Sequence, residues 1–156
     1  MNRSALVALA FLAGLMLPSS LSAQSALTGP GCPGFISPSI QCQGSPVVCS
    51  PLPVLFGIGM AGGAPLQPAV LVLGVDAPAT PIPSFPMCMS GCAITLAPVA
   101  FLPTTTNLAG EAQHGFALPC DPSLIGQSVE AQWGTIDPSG IIVCAVATPE
   151  MRVTLQ

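Results

Sequence analysis

Proline placement constrains this chain more than any other feature. The sequence holds 19 prolines, and 14 of them fall between Pro30 and Pro103. Each removes a backbone N–H and clashes with the preceding turn of a helix. After Ala23, no window keeps apolar residues at i, i+3, i+4 and i+7 without a proline or glycine inside it, which argues against amphipathic helices. Strands and turns remain. The proline-dense front half is expected to form short extended pieces, and the rear half longer strands.

The rear half supplies the clearest alternation. In Gln127 to Thr135, Val129, Ala131 and Trp133 share one face while Ser128, Glu130 and Gln132 share the other, the pattern of a half-buried strand. Asp137-Pro138-Ser139-Gly140 then reads as a turn, with Asp137 as cap, φ preset by Pro138 and Gly140 free to turn left-handed. The segment Ile141 to Ala147 is apolar on both faces and is expected as the second arm of a hairpin, covered on two sides. Met151, Val153 and Leu155 alternate with Arg152, Thr154 and Gln156 in a last strand. Upstream, Val70 to Leu73 and Ala93 to Ala97 are buried-strand candidates, and Ala112, His114, Phe116 and Leu118 share a face of another. Asp121-Pro122-Ser123 has the pattern of a helix start, which Gly126 ends within a turn. Strands at this spacing predict an all-β fold, an antiparallel β-sandwich of jelly-roll or immunoglobulin-like topology.

The first 23 residues do not belong to that fold. Arg3 precedes an apolar stretch from Ala5 to Leu17, and small residues lead up to Ala23, the layout of a cleaved signal peptide. The expected organisation is a signal peptide over 1–23, a loosely structured Cys/Pro/Gly-rich segment over 24–50 and a β-sandwich domain over 51–156. Pro51, Pro53, Pro65 and Pro68 break the apolar run from Val47 to Val75, so no membrane span is expected in the mature chain. The expected location is secreted, periplasmic or at the cell surface.

All seven cysteines, Cys32, Cys42, Cys49, Cys88, Cys92, Cys120 and Cys144, follow the expected cleavage site, and disulfides are the default in an oxidising compartment. An odd count leaves one over, with about 105 frameworks open. Cys42 and Cys49 bracket a short Gly-Pro loop and form a candidate local pair. Cys88-x-x-x-Cys92 has ligand-like spacing, but no second such pair completes a tetrahedral set, so no metal and no cofactor are expected.

Gly31-Cys32-Pro33-Gly34, Gly91-Cys92, Leu118-Pro119, Pro122-Ser123-Leu124-Ile125-Gly126 and Gln132-Trp133 form an ordered series. It resembles a β-rich module of unknown function that recurs in secreted proteins of planctomycetes and other environmental bacteria. The resemblance covers most of Gly29 to Leu155. It implies Cys32 with Cys92 as the module's common pair and the other five cysteines as additions, and it carries no activity.

Charge excludes whole classes of function. Arg3 and Arg152 are the only basic residues, too few to neutralise a run of phosphates, so neither nucleic acid nor an anionic membrane surface is an expected partner. A second copy of the chain, or an extracellular or cell-surface component, is expected instead. Glu111-x-x-His114 invites a catalytic reading, but in a strand the spacing puts the two on opposite faces. His114 is expected to be partly buried with its ring hydrogen-bonded. No Gly-x-Ser-x-Gly elbow and no spaced Asp/Asn calcium loop occur, and no catalytic residue is assigned. Trp133 is a candidate sugar-stacking surface that its strand position favours as core, and Gln132 and His114 complete the ligand-binding candidates. The expected function is a non-catalytic structural, adhesive or interaction module, with a carbohydrate- or small-ligand-binding module as the alternative.

Overall fold

The computed structural model describes residues 25–29, 31–32, 34, 36–49, 56–81, 93–140 and 143–156. The expected signal peptide over 1–23, together with Pro33, Cys88, Gly91, Cys92, Ile141 and Ile142, lies outside the described residues. Within them the fold is all-β. Its strands are β1 (Ser25–Leu27), β2 (Ser39–Gln43), β3 (Phe56–Ala61), β4 (Pro68–Pro81), β5 (Ala93–Thr105), β6 (Ala112–Phe116), β7 (Ser128–Asp137), β8 (Cys144–Ala147) and β9 (Met151–Thr154). The only helical element among the described residues is a 3₁₀ turn, Pro122–Leu124, capped by the Asp121 side chain on the Ser123 N–H.

Two antiparallel sheets result. The larger has the order β1-β9-β7-β4-β5, with β8 also paired to β7, and the smaller has the order β2-β3-β6. β8 and β9 run one after the other along the same side of β7, interrupted at Thr148-Pro149-Glu150. One core serves both sheets. Ile40, Phe56, Ile58, Met60 and Ala112 of the smaller sheet pack with Leu71, Ala131, Trp133, Met151 and Val153 of the larger, and this apolar burial is the main stabilising term.

Three expectations about the strands need correction. The longest strands, β4 with 14 residues and β5 with 13, lie in the proline-dense half. Edge position explains this, because a proline on an edge strand can turn its missing N–H away from its neighbour. β5 is the last strand of its sheet, and Pro98 and Pro103 pair only with β4. β4 is an interior strand only over Ala69–Gly74, where β7 pairs with it, and that stretch contains no proline. Pro68 begins β4, while Pro78 and Pro81 lie beyond the reach of β7.

The second correction concerns β7. It is buried on both faces, for Glu130 and Gln132 are each only 2% exposed opposite the buried Ala131 and Trp133. β7 is flanked by β4 on one side and by β8 and β9 on the other, and each of these polar side chains is held by a partner, as described below. Third, the segment expected to be loose supplies β1 to the larger sheet and β2 to the smaller. Cys32 and Ala147 exchange two backbone hydrogen bonds of 2.8 and 2.9 Å, and Val48 N–H donates to the Gln156 carbonyl at 2.7 Å.

The candidate Cys42–Cys49 pair does not form. Cys49 is bonded to Cys120, 71 residues away, and Cys42 is a free thiol. Cys42 packs against the core from β2, whereas Cys49 is exposed beyond the turn that follows. Cys32 and Cys144 are disulfide-bonded as well.

Candidate functional site

His114 sits on the core-facing side of β6. Its ring stacks on Trp133 with centroids 5.5 Å apart and planes 11° from parallel. Its Nε2 lies 3.0 Å from the Leu102 carbonyl, which can only accept, so the proton is on Nε2. Glu111 is exposed just before the strand, and its carboxylate accepts from Asn107 Nδ2 at 3.0 Å. The two members of the Glu111/His114 motif therefore point to different surroundings. Trp133 is 0% exposed and offers no face to a sugar.

Gln132 occupies the opposite face of β7. Its Nε2 donates to the Thr148 carbonyl at 3.0 Å, inside the interruption between β8 and β9. Thr148 in turn accepts the Trp133 N–H on its hydroxyl at 3.0 Å. The amide thus satisfies the Thr148 carbonyl while the Thr148 hydroxyl accepts the Trp133 N–H. Its other atom, Oε1, is buried and accepts no hydrogen bond.

Around Gln132, the face of the larger sheet turned away from the core carries a cavity of about 360 Å³. Register places the lining residues in rows. Phe101, Val72 and Gln132 are cross-strand neighbours in one, and Pro103, Val70, Gly134 and Ala147 in the next. Ile136 and Ala145 continue the lining. Small residues at 134, 145 and 147 leave the room, and branched side chains from β4 wall it. Sequence reading identified Val70–Leu73 as buried strand but missed this site. The available signal was a strand apolar on both faces, because its outward residues, Val70 and Val72, need a cover of their own.

Farther along the same face, Arg152 bridges two carboxylates. It donates from Nε to Glu130 and from Nη2 to Asp76, the latter at 3.0 Å. Glu150, also buried, accepts from the Thr95 hydroxyl. Burial pushes the Glu130 carboxyl above the usual carboxylate range; Arg152 opposes this and the neighbouring Glu150 adds to it. Among the described residues no three His, Cys, Asp or Glu side chains are placed to hold a metal ion. A second, polar cleft of about 330 Å³ lies beside the smaller sheet, bordered by Gln41, Gln43, Gln113, Asn107 and Glu111.

No family model, curated protein or solved structure matches the chain. Among the described residues, no helix is long and apolar enough to cross a membrane.

Proposed function

We propose that this protein is a secreted, non-catalytic interaction module, exported by a signal peptide over 1–23, stapled by disulfides and built as a β-sandwich. Kinship with the β-rich module of planctomycete and other environmental bacterial proteins belongs to the same proposal. The core common to both sheets supports the sandwich reading, and the Cys49–Cys120 bond supports an oxidising compartment.

The observation that carries the non-catalytic reading is the position of His114. It is the only histidine in the chain, and its ring is committed to Trp133 and to the Leu102 carbonyl. A general base must reach the proton it removes, and this imidazole faces the interior. His114→Ala is therefore expected to leave any turnover of ester, peptide or glycoside substrates unchanged while lowering thermal stability. Loss of turnover in a folded His114→Ala variant would overturn the reading.

The cavity around Gln132 favours a second reading, a small-ligand-binding module. Such sites are concave, mostly apolar and carry a few polar groups. Trp133 borders it but, at 0% exposed, offers it no ring face.

A further inference from the structure

We infer that Glu130 and Glu150 hold one proton between their carboxyl groups, and that this proton latches residues 25–29 onto the larger sheet, docked while it is present and released when it is lost.

The geometry of the pair carries the first half. Glu130, on β7, and Glu150, just before β9, are 2% and 4% exposed, and their carboxyl groups lie in hydrogen-bonding contact. An ionised carboxylate only accepts, so one of the two must bring a proton. The open position is on Glu130. Its Oε1 accepts from Arg152 Nε, while its Oε2 is buried and has no donor. Glu150 Oε2 already accepts from the Thr95 hydroxyl. A proton on Glu130 Oε2, donated to Glu150, completes the set. The neighbouring charges supply no alternative. Arg152 of β9 is divided between Glu130 and Asp76 of β4, β5 brings only the uncharged Thr95, and His114 stacks on Trp133 on the core side. Among the described residues, one cation therefore faces three carboxylates. The upward displacement of the Glu130 carboxyl, caused first by burial and opposed by Arg152, agrees with this arrangement.

Residues 25–29 cover the pair. The Thr28 N–H donates to the Glu150 carbonyl at 2.9 Å, and a Cβ on Gly29 would lie 3.3 Å from Glu150 Oε2 and 3.2 Å from Thr95 Oγ1. This cover is thinly held, since β1 has three residues, all exposed, and pairs with β9 alone. Cys32, bonded through its backbone to Ala147, anchors the chain just beyond. Losing the shared proton leaves two ionised carboxylates in contact, which repel and need water. Lifting residues 25–29 admits it while the remaining strands stay paired. The docked form binds the proton more tightly than the released form, so docking is complete in acid and is lost as pH rises.

Hydrogen–deuterium exchange of the full chain with its disulfides intact, at about pH 5 and about pH 8, both above the ordinary glutamate value, tests the latch once intrinsic rates are divided out. From the lower to the higher pH the Thr28 amide and its neighbours in β1 are expected to lose protection at least about tenfold, while the Ile58 and Trp133 amides keep theirs. Glu150→Gln, whose amide can donate to an ionised Glu130 Oε2, is expected to keep the segment protected at both pH values. Glu130→Gln should do the same and carries this arm if Glu150→Gln fails to fold. Equal protection of the segment at both pH values in the natural chain, a loss shared by Ile58 and Trp133, or a pH-dependent loss that persists in a folded variant would each overturn the proposal.

Discussion

Asp137 shows how one side chain joins distant parts of the chain. Its Oδ1 accepts the Ser139 N–H at 2.9 Å, the local turn contact that Asp-Pro-Ser-Gly announces, and its Oδ2 accepts the Ile36 N–H at 3.0 Å from 101 residues away. The carboxylate is 0% exposed. Hydrogen bonds to a charged group contribute about 1.5–3 kcal/mol each, so Asp137→Ala is expected to lower unfolding stability by about 3 kcal/mol or more in urea titration. A change below about 0.5 kcal/mol would mean the Ile36 contact is dispensable. Glu130 gives a prediction in pH. Its carboxyl is pushed above the usual range by burial, against the pull of Arg152, so the native state holds the proton more tightly than the unfolded chain. That contribution is complete below the ordinary glutamate value of about 4.3 and is lost as pH rises through the raised native value. Between pH 4 and pH 7 the natural chain should therefore lose thermal stability relative to Glu130→Gln; a gain over that interval would contradict the assignment. Cys42 is the third informative residue, because burial pushes its thiol above the usual value. It stays protonated at neutral pH and is a poor nucleophile.

The strands differ in how far they could be read in advance. β7, β9 and the turn between β7 and β8 are legible because alternation and turn chemistry are local. β4 and β5 are not, because whether a strand tolerates proline depends on which of its residues have neighbours on both sides, and pairing is non-local. The burial of Glu130 and Gln132 was hidden for a related reason. Their covers, Arg152 and the Thr148 carbonyl, come from the neighbouring strand and from a break in it. The candidate site divides in the same way. His114 and Trp133 could be placed inside from their strand neighbours, whereas the cavity arises from side chains of four strands. β5 also carries a bulge at Val99, opposite Leu73 and Gly74 of β4. A Cβ on Gly74 would lie 2.1 Å from the Ala97 carbonyl oxygen, while one on Gly134 meets nothing closer than 3.5 Å. Gly74→Ala is expected to cost about 2 kcal/mol or more and Gly134→Ala to be neutral or stabilising by up to about 1 kcal/mol. Chemical denaturation of both checks this; equal effects would contradict the assigned register.

For the molecule as a whole, the ends of the described chain are held together. β1 pairs with β9, and the Pro46–Val48 stretch exchanges hydrogen bonds with Gln156. The Cys49–Cys120 bond closes a loop of 71 residues, which in the loop-entropy model raises the free energy of the unfolded chain by roughly 4 kcal/mol. This helps a chain with only 5% charged residues to keep one compact state. The proposed function is that of an exported, disulfide-stapled interaction module. Its most direct test is the intact mass of the protein secreted from its own host, purified without reductant, alkylated before and after reduction and mapped by peptide. The expected result is a chain beginning at Gln24, with Cys49 and Cys120 in one cross-linked peptide that separates only on reduction, and Cys42 alkylated only once the chain is unfolded. A cell-retained chain that keeps residues 1–23, with Cys49 and Cys120 alkylated without reductant, would contradict the account.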